Sequence, residues 1–125
     1  MKDSRPVFLD LLKIRLPIAA LVSILHRVSG AALFVASFYL LFLLAMSLGG
    51  STEFEQLQLT LASPLHAVVL WLTLCLFSYH FLAGLRHVLM DLHMGESLRA
   101  SRIGAILVMV STLIACVLSG VWIWL

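Results

Sequence analysis

Charge is scarce in this chain, and it is missing over long stretches. Of 125 residues only 11% are Asp, Glu, Lys or Arg, while 62% are apolar. No charged residue occurs in 28–52, in 56–85 or in 103–125. A water-soluble fold of this length has too little interior to hide so much apolar surface. The composition excludes a small soluble enzyme and reads as one integral membrane domain, 1–125. Cysteine is scarce too. Cys75 and Cys116 both fall inside apolar runs, with no metal-ligand spacing and no disulfide framework. They read as small lipid-embedded hydrophobes. A net charge of +2 is too small to imply a nucleic-acid partner. No small-residue cleavage site follows the first apolar stretch, which His26 and Arg27 interrupt. Met1 onward is therefore expected to be retained rather than removed as a signal peptide.

What is present is three runs long enough to span. A hydrocarbon core about 30 Å thick takes roughly 20 helical residues. Backbone groups in lipid must bond within their own segment, so the runs are helices. Polar ends trim them to about 28–48, 65–90 and 103–124. The sequence predicts an all-α membrane protein with three transmembrane helices. Gly49-Gly50-Ser51 stops the first span, and Ser63-Pro64 opens the second with an N-cap followed by proline at the first helical position. The third ends in Trp122 and Trp124, residues suited to a membrane interface. Ser111, Ala115 and Ser119, four residues apart, predict a small-residue packing ridge on that helix.

The distribution of charge orients the chain. The eight basic residues are Lys2, Arg5, Lys13, Arg15 and Arg27 before or at the first span, and Arg86, Arg99 and Arg102 around the second connection. The loop 49–63 has none. Positive residues stay on the cytoplasmic side, or the equivalent matrix side. The N-terminus and the segment 93–102 are cytoplasmic, and the C-terminus is outside. The first 25 residues read as a cytoplasmic or interfacial segment. Within them, residues 7–24 are too broken by Asp10, Lys13 and Arg15 to span, and either lie on the anionic leaflet or dock a soluble partner.

Ionisable groups inside a membrane helix are costly and require a reason. In the second span His80, Gly84, His87 and Asp91 follow at +4, +7 and +11, within a wedge of about 60° on one helix face. His80 lies roughly 10 Å deeper than His87 at ~1.5 Å of rise per residue. A neutral imidazole at that depth is either a hydrogen-bonded packing residue or a haem-iron ligand, and Gly84 would admit a flat macrocycle. His87 can pair with Asp91. His66 and His93 read as solvated interface residues. At the same edge Ser23, His26, Arg27 and Gly30 occupy i, i+3, i+4 and i+7. Composition reads Arg27 as a snorkelling anchor. The sharper alternative is that His26 and Arg27 meet anionic groups such as propionates, with Ser23 a hydroxyl donor to a polar ligand.

Two motifs at this separation carry a resemblance. The segments RPVFLDLLKIRLPIAALVSILHRVSG, 5–30, and SYHFLAGLRHVLMD, 78–91, resemble the cytochrome b membrane-anchor subunits of succinate dehydrogenase, and the three-span layout extends the resemblance over nearly the whole chain. The resemblance implies a helical bundle formed with a second small membrane-anchor subunit, holding one shared haem b. It implies iron–sulfur and flavoprotein subunits on the cytoplasmic side, with electrons from succinate passing to ubiquinone. It places the chain, besides its lipid contacts, in a bacterial inner membrane, or in the mitochondrial inner membrane of a eukaryote. Carried over residue by residue, it makes His80 this subunit's axial ligand, with the other ligand from the partner subunit. Ser23 and Arg27 fall in the quinone pocket, and His26 with Arg27 near the haem propionates. The anchor of a fumarate reductase remains an alternative, as does a non-redox structural or transport subunit. No internal repeat or broken helix favours a transporter.

Overall fold

The computed structural model describes residues 16–125. Residues 1–15, with the N-terminal part of the expected interfacial segment, lie outside the described residues. Three long helices and one short one follow in order: α1 Ile18–Leu48, α2 Ser51–Leu61, α3 Pro64–Asp91 and α4 Leu98–Trp124. The long three have mean hydropathies of 2.3, 1.9 and 2.5 over their most apolar stretches, enough to cross a membrane. The three expected spans are all present.

Helix α1 begins ten residues before 28, at Ile18. Pro17 is extended (φ −63°, ψ 149°) and caps a helix that runs unbroken from Ile18 through His26 and Arg27. Neither of those two residues breaks a helix, because both keep a backbone N–H and an ordinary φ. At ~1.5 Å per residue the 31 residues of α1 extend about 46 Å, beyond the ~30 Å hydrocarbon core. Residues 18–24 are thus helical and continuous with the first span. Val22, at 0% exposure, is the largest fully buried side chain among the described residues. It packs with Ala83, Ala105 and Val108.

The loop 49–63 holds the short helix α2. Gly50 adopts φ 128°, open to glycine alone, and turns the chain out of α1. Glu53 lies in the first turn of α2, where a carboxylate suits the helix dipole. Ser63 and Pro64 begin α3 as the sequence predicts, but the Ser63 side chain makes no capping bond and instead meets His66 Nδ1 at 2.7 Å. His66 also stacks on Tyr39 at 6.2 Å, so it is packed rather than simply solvated. His93 does lie in the open, with φ 61° and a 2.8 Å contact to Glu96. Ser97 Oγ caps α4 by accepting from the Ala100 amide.

Helix α3 is the centre of the bundle and is tied to both neighbours. Tyr79 donates to the Val22 carbonyl of α1 at 2.8 Å. Trp71 Nε1 donates to the Cys116 carbonyl of α4 at 2.9 Å. Arg86 is buried and its Nη2 donates to Ser101 Oγ at 2.9 Å. The interior is small in volume, as expected where lipid removes the hydrophobic drive between helices and close approach supplies the packing. On α4 the contacts run along Ser101, Gly104, Ala105, Val108, Cys116 and Gly120. Of the expected ridge, Ser111 is exposed, whereas Ala115 and Ser119 are half-buried and Ser119 meets Cys75 of α3.

Candidate functional site: a histidine cluster between α1 and α3

Val22, His26, Ser29 and Gly30 share the face of α1 that meets α3, recurring at four, three and one. His80, Gly84 and His87 share the facing stripe of α3. The two stripes interlock ring against glycine. A Cβ built on Gly30 would lie 2.9 Å from His80 Cε1, and one on Gly84 would lie 3.2 Å from His26 Nε2. Each glycine therefore lets the other helix bring an imidazole against its backbone. The expected gap over Gly84 is occupied by the His26 ring.

Three imidazoles meet here. His26 stacks on His80 with centroids 4.2 Å apart and planes 16° from parallel, and it meets His87 at 5.1 Å and 47°. His87 thus packs against His26, and no ion pair joins it to Asp91 among the described residues. His26 bridges the deep histidine and the shallow one.

The hydrogen bonds at His80 determine its tautomer. Nδ1 lies 3.1 Å from the His26 carbonyl oxygen and 3.1 Å from Ser29 Oγ. A carbonyl can only accept, so Nδ1 carries the proton. The Ser29 hydroxyl donates to the same His26 carbonyl at 2.9 Å, which leaves its oxygen lone pairs facing Nδ1–H. In the neutral ring Nε2 is then bare and available to a metal. Among the described residues no group of three or more His, Cys, Asp or Glu could enclose a metal ion. The chemistry of this donor set is one imidazole nitrogen offered from this chain, which suits an iron that is already held by a macrocycle.

Ser23 and Arg27 lie one residue beyond Val22 and His26, about 100° around α1. Ser23 is half-buried and Arg27 exposed. No hydrogen bond links either to the histidines among the described residues. The structure thus divides the polar set: His26 joins His80 and His87 at the α1–α3 contact, whereas Ser23 and Arg27 occupy a flank of α1. Nothing in the sequence marks Ser29 or Tyr79 as partners of the other helix. Ser29 is 3% exposed and sits between His26 and His80. Its i−3 bond to the backbone is unremarkable along one helix, and only the packing of α3 makes it a histidine partner.

Residues 1–119 match the family described as the succinate dehydrogenase/fumarate reductase transmembrane subunit. The chain belongs to that family. It is similar to the succinate dehydrogenase cytochrome b556 subunit of Coxiella burnetii, 41% identical over 125 residues and covering 99% of this chain and 100% of the relative. The corresponding subunit of Paracoccus denitrificans is 30% identical over 120 residues, 90% of this chain and 92% of that one. The chain is thus the membrane-anchor cytochrome b subunit of this family, a multi-pass protein of the bacterial inner membrane, and a subunit that associates with other subunits of its complex. The structural or transport reading is set aside.

Proposed function

We propose that this subunit holds one haem b through His80 and helps pass electrons from succinate, by way of an iron–sulfur subunit, to ubiquinone. Both relatives carry the succinate dehydrogenase name, and the proposal follows that direction. The observation that supports it best is the His80 ring: Nδ1–H is committed to the His26 carbonyl and Ser29, and Nε2 is bare. When bound, the haem supplies one-electron chemistry at an iron whose potential depends on its axial ligands. His80 would furnish one ligand, and a second small membrane-anchor subunit the other. His26 and Arg27, at the cytoplasmic edge, would meet the propionates, where cations and ring N–H groups suit carboxylates. A flavoprotein subunit would complete the complex on that side.

On the α1 flank, Ser23 and Arg27 would receive the quinone head. The Ser23 hydroxyl can donate to a quinone carbonyl oxygen. The Arg27 guanidinium can stabilise negative charge that develops on that oxygen, because a fixed cation in a poorly hydrated site acts strongly. The apolar tail would lie along the lipid-facing surface of the helices.

The test is His80→Leu in the assembled complex. Carbon cannot ligate iron, so the low-spin bis-imidazole signal in a reduced-minus-oxidised spectrum is expected to vanish or convert. His87→Leu and His66→Leu should retain it. An unchanged low-spin spectrum in His80→Leu would sink the assignment.

A further inference from the structure

Ser29 is buried with its hydroxyl against an imidazole of another helix. Its proton goes to the His26 carbonyl at 2.9 Å, so its oxygen can only accept from His80 Nδ1–H at 3.1 Å. The same carbonyl also accepts from Nδ1 at 3.1 Å. The three groups form a closed triangle: ring N–H, hydroxyl and carbonyl. Gly30, next in the chain, removes the Cβ that would otherwise push the ring away. Ser37 makes the same kind of backbone bond, to the Phe34 carbonyl at 2.6 Å, two turns further along α1, and among the described residues it has no hydrogen bond to a histidine. Helix geometry alone therefore does not explain why Ser29 should be buried against His80.

We propose that Ser29 is a positioning residue for His80, holding Nδ1 protonated and the ring oriented so that Nε2 faces the iron, and raising the ring's basicity as a ligand. The inference rests on the reading of His80 as an axial ligand. A ligating imidazole whose other N–H is held by an acceptor has a fixed tautomer and donates more strongly to its metal. Stronger donation favours the ferric state, so the Ser29 hydroxyl lowers the haem potential.

The experiment measures the haem midpoint potential and the rate of haem loss in the assembled complex carrying Ser29→Ala. The variant keeps the His26 carbonyl as one acceptor and loses the other. The low-spin spectrum should persist, the potential should shift upward, and haem should dissociate about 10-fold faster, the lower end of the effect of losing such a partner. Ser29→Thr, which keeps the hydroxyl, should return both readings towards those of the unmodified complex. Ser37→Ala, which loses only a backbone bond on the same helix, should leave them unmoved. An unmoved potential and haem-loss rate in Ser29→Ala would overturn the proposal, as would an equal shift in Ser37→Ala. His80→Leu measured alongside separates the two levels. A low-spin signal that persists there removes the ligand assignment itself. Its loss, together with an unmoved Ser29→Ala potential, removes the positioning role alone.

Discussion

The imidazole of His26 lies flat on that of His80, 4.2 Å between centroids and 16° from parallel, although 54 residues separate them. The contact joins a residue at the membrane edge to one deep in the second long helix. It places the ring proposed to meet propionates directly on the ring proposed to bind iron.

Gly30→Ala should disturb the His80 ring. The added methyl would sit 2.9 Å from Cε1, closer than carbon atoms tolerate, and the obstacle is a ring held by two acceptors. Overpacking of this kind costs about 1–3 kcal/mol. Purified complex should contain less haem and melt at a lower temperature. Gly84→Ala should act more mildly, because the added methyl would lie 3.2 Å from His26 Nε2 rather than 2.9 Å from a ring atom. Full haem content in Gly30→Ala would show that the α1–α3 spacing is looser than described.

Tyr79→Phe should loosen α1 from α3 without touching the histidines. It removes the 2.8 Å bond to the Val22 carbonyl. Hydrogen bonds between membrane helices are worth about 0.6 kcal/mol on average. Thermal unfolding in detergent should show a small fall in midpoint with an unchanged haem spectrum. A fall as large as that of Gly30→Ala would mean that this bond does more than hold the helices together.

Ser23→Ala should slow ubiquinone reduction and leave succinate oxidation by a soluble artificial acceptor intact, because one donor to the quinone is lost. Arg27→Leu should slow it further, since charge and donors go together. The measurement is the ratio of quinone-dependent to dye-dependent turnover in the complex. Equal ratios in both variants and the unmodified complex would return Arg27 to a snorkelling anchor and Ser23 to a helix-surface residue.

Reporter fusions test the orientation. A fusion within α2 or after Trp124 should report the outside, and one within 93–102 the cytoplasm. An external 93–102 would overturn the assignment from basic residues and put the histidine edge on the wrong side of the membrane.

The three spans, the membrane class, the side on which basic residues lie and the depth order of His80 and His87 follow from the sequence alone. They depend on local properties: run length, charge placement and the 3.6-residue period, none of which needs a second helix. Pro17, Gly50 and Pro64 mark helix ends by their backbone chemistry, although the reach of α1 back to Ile18 was hidden by the polar residues at 26 and 27. Only the tertiary structure decided the register between α1 and α3. A helix's own period says which residues share a face, but not which residue of another helix meets them. That register set Gly30 under His80 and Gly84 under His26, buried Ser29, and separated His26 from Arg27 although they are neighbours in the chain. It also decided which nitrogen of His80 is bare, because a proton goes to the ring atom that faces a carbonyl, and that carbonyl lies on the other helix.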